Sequence, residues 1–497
     1  MSRRLSPVVA AALLAGCGRD PGAQTTLRVD IVSQPAAARA LAGATGAGLV
    51  AFDAKGEVVP ALASSWRVAN DGLSVIFRLR SGDKGTARPT AAEVVAGLRR
   101  VATAARRGPA RDLVGVIANG SAVVDGRAPA STLGVDAPTD RVVEVRAAGA
   151  ISNLLPVLAQ PELAGIAAGG AAGQNPMRVV ATGPREARLV RQAASDPAGT
   201  IVVTTAADPG SAVARFAHDR TDLVIGDGMA GFDDARLMTT GNVLRVEPAW
   251  GVYGYRIRAR GPLADVRVRR ALAMAIDRDG LGGLFGLTLT PVLGLIPPLP
   301  GTPSPALPDW ALQTPAARLD LARQLLVAAG IDAAHPLTVT ISLPDAREHA
   351  AVAAAVAAGW AQLGVTTTTV VRSAAAHAAA VARGDYSLAL VEQSVPVDSA
   401  LLFLTPFGCR ETVRVGLCDP AADALVEAAR TARDPGIAAT TLASAEAAMV
   451  ADTPLIALFV PIRWALVAKR VTGWFPNAAG QHPLALLGVT GRRAAPR

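Results

Sequence analysis

The residues best placed for chemistry in this 497-residue chain lie at its start. Arg3 and Arg4 precede an apolar stretch, Leu5 to Leu14, that is too short to span a bilayer and ends in Leu14-Ala15-Gly16-Cys17. Small residues before a cut site suit a signal peptidase, and a cysteine at the first mature position can be acylated through its thiol. This pattern predicts a lipoprotein signal peptide over residues 1–17, lipidation at Cys17, and a flexible tether over 18–26 (GRDPGAQTT for 18–26). The alternative is an ordinary signal peptide with an unrelated cysteine. Export places the two other cysteines, Cys409 and Cys418, in an oxidising compartment. There they either pair, closing a short loop for about 2–3 kcal/mol, or stay as two buried thiols. Neither state makes them catalytic.

Enzymatic constellations are missing from the sequence. It has no G-x-S-x-G elbow, no P-loop and no H-E-x-x-H. His218, His335, His349, His377 and His482 are dispersed, none three or four residues from another, which leaves only a metal site assembled from distant residues. Gly43 to Gly48 (GATGAG) is glycine-rich but lacks the strand and helix of a dinucleotide fingerprint, and reads as a loop.

The composition narrows the class further. The net charge of +9 would fit a nucleic-acid partner, yet only three lysines occur (Lys55, Lys84, Lys469), arginines alternate with acids, and aromatics are 4%. Nucleic-acid binding is therefore not expected. The apolar fraction of 51% and mean hydropathy of +0.34 come largely from alanine. Beyond the leader no apolar run reaches the length of a membrane span; Ala350 to Trp360 suits a buried helix instead. The length allows two or three domains.

The elements that must position any site alternate between strands and helices. Val75 to Leu79 reads as a strand, and Thr90-Ala91-Ala92-Glu93 as a capping box opening a helix. Asp265 caps a helix whose buried face is Val268, Ala271, Leu272, Ala275 and Ile276, with Arg267, Arg270 and Asp277 off it. Another runs from Thr314-Pro315 to Gly330. Residues 337–391 read as βαβαβ: strands Leu337 to Leu343, Val365 to Val371 and Tyr386 to Val391, helices Ala350 to Leu363 and Ala374 to Arg383. Such alternation predicts an α/β lobe with a mainly parallel sheet covered on both faces.

In order, these segments resemble the family 5 solute-binding proteins of ATP-driven importers, the dipeptide, oligopeptide and nickel-binding group. The likeness is carried by Pro60-Ala61-Leu62-Ala63-Ser64-Ser65-Trp66, Asn70-Asp71-Gly72-Leu73, Val75 to Arg80 and Pro89 to Val95. It continues through Leu133-Gly134-Val135, Thr182-Gly183-Pro184, Pro262 to Leu272 with Ala275 to Arg278, Pro297-Pro298 and Pro300-Gly301. Asp419-Pro420 with Ala424-Leu425, and Asp452 to Ile456, complete a match over residues 45–480.

The resemblance implies a two-lobed clamp of the large peptide-binding class. Lobe I would comprise 27–253 plus 455–497, with an inserted subdomain over 50–158, and lobe II 254–454. It implies a binding protein and not an enzyme, with a peptide-like or other small polar ligand, ABC permease and ATPase partners, and no cofactor or metal. The protein would be a monomer in the periplasm or at the cell surface, held to the membrane by its lipid alone. A sensing or envelope lipoprotein on the same fold is the alternative, and a periplasmic hydrolase a third reading. Gly18 leaves the choice between inner and outer membrane open.

For the ligand site, the resemblance places Trp250, Tyr253 and Tyr255 at the crossing between lobes, where they either stack on a ligand or belong to the core, and points to the stretch Glu392 to Ser399. Peptide-binding members carry there an aspartate that pairs with the peptide amine, and Val395 takes that place. Either Glu392 or Asp398 compensates, or the ligand is no ordinary peptide, because a buried unpaired ammonium costs several kcal/mol. Cys409 and Cys418 also fall where dipeptide-type members have a short disulfide loop. The hairpin after Arg80 is shorter than the family's.

Overall fold

The computed structural model describes residues 26–69, 72–81, 88–105, 110–150, 153–165, 176–191, 199–239, 241–298, 304–477 and 479–490. Cys17, the leader and most of the expected tether lie outside them, as do Asn70-Asp71 and Pro300-Gly301. Thr26, expected as the last residue of the tether, already belongs to the first strand.

That strand, β1 (Thr26–Ile31), is central in a seven-stranded sheet. The sheet order is Leu244–Pro248, Ile462–Val467, Leu223–Ile225, β1, Thr200–Thr205, Glu186–Arg191, Met177–Thr182. β1 runs parallel to both neighbours, with Val29 opposite Val203 on one side and Leu223 on the other. The outer pairings are antiparallel. Leu27, Val29 and Ile31 are buried on one face, and so is Asp30 on the other, beside Arg215 at 2.8 Å.

The second sheet has five strands, ordered Thr366–Arg372, Thr338–Pro344, Leu388–Ser394, Gly251–Ile257, Leu455–Phe459. The three strands read from residues 337–391 are parallel, as the alternation requires, and two antiparallel strands extend them. The helices between them are Arg347–Ala361 and Ala374–Arg383. Gly251–Ile257 is buried almost throughout, the signature of a central strand.

Both Gly251–Ile257 and Leu455–Phe459 lie wholly in this second sheet, so the chain crosses at Ala249-Trp250 and again at Val460-Pro461. The boundaries expected after residues 253 and 454 fall a few residues away from these crossings. Hydrogen-bond pairing decides which sheet a strand joins.

A third, antiparallel sheet of four strands, Ala63–Val68, Ser74–Leu79, Val142–Arg146 and Val135–Thr139, lies within the expected insertion. Helix Ala91–Ala104 packs on it, opened by the capping box: Thr90 N–H donates to Glu93 Oε2 (2.7 Å) and Glu93 N–H to Thr90 Oγ1 (3.3 Å). The Asp265 cap is also present, though its helix spans only Val266–Met274. Arg269 sits among its buried residues, where its guanidinium donates to the carbonyls of Leu263, Ala264 and Asp452. Cys409 and Cys418 are joined as a disulfide.

Candidate ligand-binding site

A parallel strand flanked by parallel neighbours on both sides, reached by separate connections, leaves a crevice at its carboxyl end. At the end of β1 the chain turns at Val32 and Ser33 into α1 (Gln34–Thr45). Val32 N–H donates to Ile225 O (3.0 Å), keeping β1 and Leu223–Ile225 together to their tips. Ser33 caps α1, its Oγ accepting from Ala36 N–H (3.1 Å) and donating to Asp227 just past the neighbouring strand.

Against this edge lies a cavity of about 850 Å³, within the size range of small-molecule sites. Its floor is one face of α1: Ala36, Arg39, Ala40 and Gly43 recur at helical spacing. Small residues there leave room that larger side chains would fill. Gly43 to Gly48 is thus partly the end of α1 and partly the turn after it, and not wholly the loop expected. One wall is the hairpin of Val50–Phe52 and Val58–Pro60; another is the segment 479–486 near the C-terminus. Gly480, at φ +59°, lets the chain pass directly over Arg463: a Cβ there would stand 2.1 Å from Arg463 Nη1.

The charged side chains of the lining are Arg39, Arg88, Arg191, Arg463, Asp53 and Asp227. Asp53 is engaged in its own turn, accepting from the amides of Lys55 (2.8 Å) and Glu57 (2.9 Å). Asp227 accepts from Ser33. Arg191 donates to the carbonyls of Ala485 and Leu487, tying down the C-terminal wall. Arg39 donates to Gln160 Oε1 and lies 3.6 Å from Glu162. Burial pushes Arg463 down to about 10, with Glu247 working against that shift, so it stays cationic at neutral pH. His482 stacks on Trp474 (3.6 Å between ring centroids) and meets Glu247 Oε2 through Nε2 at 3.1 Å.

The residues expected from the resemblance lie elsewhere, along the seam where the two lobes touch. Tyr253 is fully buried, stacked on Phe459 at 4.5 Å, with its hydroxyl 3.0 Å from His349 Nδ1. Glu392 is its register partner on the adjacent strand. The Glu392 carboxylate accepts from Met229 N–H across the seam at 3.1–3.2 Å, and burial pushes its pKa up to about 8. Gly228, at φ +78°, makes room: a Cβ there would lie 1.9 Å from Glu392 Oε2. Beside it Glu348 accepts from Asp233 N–H (2.9 Å), and Arg347 pairs with Asp234.

Trp250 is half-buried, and its carbonyl accepts from Val395 N–H (2.9 Å). Asp398 stands apart: its carbonyl accepts from Asn153 Nδ2 (3.0 Å), its Oδ1 is buried without a hydrogen bond, and burial raises its pKa. None of these four residues lines the cavity. Sequence reasoning missed Arg39, Arg88 and Arg463. The small-residue face around Arg39 on α1 was a readable signal, whereas nothing near Arg88 or Arg463 marks them.

Two α/β lobes, joined by two crossings and carrying a cavity at a switch point, define a ligand-binding protein of the periplasmic clamp class. The chain belongs to the bacterial extracellular solute-binding proteins, family 5, whose profile ("family 5 Middle") matches residues 57–412. It is 27% identical over 458 residues to a probable deoxycholate-binding periplasmic protein, YgiS, of Escherichia coli K12, covering 86% of this chain and 84% of that one. It is 25% identical over 466 residues to the periplasmic oligopeptide-binding protein OppA of Salmonella typhimurium, covering 88% and 84%. Among solved structures, OppA of Burkholderia pseudomallei superposes with a TM-score of 0.79 at 24% identity, over 94% of this chain and all of that one. This is a family of substrate-binding proteins of ABC importers, not of enzymes. Among the described residues no helix is long and apolar enough to cross a membrane, and no cluster of His, Cys, Asp and Glu is arranged for a metal.

Proposed function

We propose that this chain is the extracytoplasmic receptor of an ABC importer, holding one small solute in the cavity at the end of β1 and handing it to a permease. The observation that carries the reading is the position of that cavity, at the switch point of the first sheet in a chain of this family. Capture would proceed by movement of the lobes about the crossings at 249–250 and 460–461, with no covalent step. Export and acylation at Cys17 would tether the protein beside its permease.

Relatives name two kinds of solute, oligopeptides and deoxycholate, and the cavity volume suits a short peptide or a compact amphipathic molecule. Isothermal titration with tripeptides and with deoxycholate tests the assignment. Saturable binding of either class at micromolar or lower concentration supports it; no heat with either, and no solute recovered from cell extract, would refute it. Metabolic labelling with a fatty acid, lost in Cys17→Ser, tests the anchor.

A further inference from the structure

We infer that the solute carries an anionic group and that Arg88 is the residue that pairs with it. The inference rests on the cavity being the solute site. Of the six charged side chains of the lining, both carboxylates already accept hydrogen bonds from the protein, Asp53 from two amides and Asp227 from Ser33. One oxygen of each carboxylate is thus committed within the protein. Arg39 and Arg191 have acceptors of their own. Arg88 differs. It is partly buried on the cavity wall, its Nε is sealed from solvent, and it makes no hydrogen bond or ion pair among the described residues.

A guanidinium keeps its proton under all ordinary conditions, so it cannot escape the cost of burial by becoming neutral. A partly buried guanidinium whose Nε is sealed from solvent without an acceptor, at the wall of a cavity, is placed to take a partner from a ligand. The planar fork of Arg88 fits a carboxylate through two parallel N–H···O bonds. The rest of the lining is largely aliphatic, with Ala40, Val50, Leu62 and Leu484 among it, and suits the apolar body behind such a group. With four arginines against two aspartates, the formal charge of the lining favours an anion as well.

The test uses matched pairs differing only in charge: dodecanoate against its methyl ester, and N-acetyl-trialanine with a free against an amidated C-terminus. Affinities are measured on the exported full chain and on Arg88→Gln and Arg88→Lys. At least one acid should bind at least tenfold more tightly than its neutral partner. Arg88→Gln should abolish that preference while leaving the neutral partner's affinity within about twofold, and Arg88→Lys should restore part of it. Arg88→Gln should also melt no lower than wild type, because its side chain holds nothing in the empty protein; a lower melting temperature would assign it a structural role and overturn the inference. Equal binding of acid and neutral forms, or no acid bound at all, overturns it too. If cell extract then yields a neutral or cationic solute, the import reading survives without the inference; if it yields none, both fall.

Discussion

Two regions of this molecule treat their charged side chains differently. Along the seam between lobes, two buried carboxylates meet backbone amides: Glu392 receives Met229 N–H, and Glu348 receives Asp233 N–H from the opposite lobe. At the cavity, Arg88 donates no hydrogen bond among the described residues. Satisfied polar groups hold a structure together, because removing one partner strands the other. An unsatisfied one at the wall of a cavity is open to a ligand. On the proposal that the cavity holds the solute, the seam is architecture, although the sequence drew attention to the seam.

The comparison breaks most visibly at Tyr253. It is a core residue by its stacking and burial, so Tyr253→Ala should cost about 3–5 kcal/mol in denaturant unfolding. A loss below 1 kcal/mol would return it to the list of ligand contacts. Next, Ala40→Trp on the cavity face of α1 should weaken solute binding at least 100-fold, about 2.7 kcal/mol, with little change in stability. Unaltered binding would move the solute elsewhere.

A smaller effect is expected from pH. Burial raises Glu392 from 4.5 to about 8 in the folded protein, so across that interval the folded state binds more protons than the unfolded chain, and stability falls as pH rises. His349 acts oppositely: burial lowers it from 6.5 to about 4, which makes stability rise over that lower range. Above pH 6.5 the Glu392 contribution is free of the His349 one. The stability difference between wild type and Glu392→Gln should therefore drift against wild type by on the order of 1 kcal/mol between pH 6.5 and 8. Parallel pH profiles would mean that Glu392 is ionised and held otherwise. The smallest change belongs to Arg88→Gln, whose unfolding free energy should stay at the wild-type value or rise.

Local chemistry made much of the fold readable. The Thr90 capping box, the Asp265 cap and the βαβαβ run over 337–391 depend on residues close in sequence, and each forms. The first sheet was less legible, because Leu244–Pro248 and Ile462–Val467 are partners across more than two hundred intervening residues. Arg269 carried no sequence signal of its own, yet carbonyls at a turn and at the end of a distant helix bury it. The cavity was the least legible part. Arg39, Arg88 and Arg463 come from a helix, a loop before a helix, and a strand near the C-terminus. No spacing links such residues; only the topology does.

The central claim is that the cavity at the end of β1 holds the imported solute. Native mass spectrometry of the exported chain, purified without denaturation, tests it most directly when wild type and Ala40→Trp are compared side by side. The account predicts an additional small mass on wild type, lost on partial unfolding and restored from extract, and none on Ala40→Trp. The same bound mass on both proteins would contradict it and place the solute at the seam.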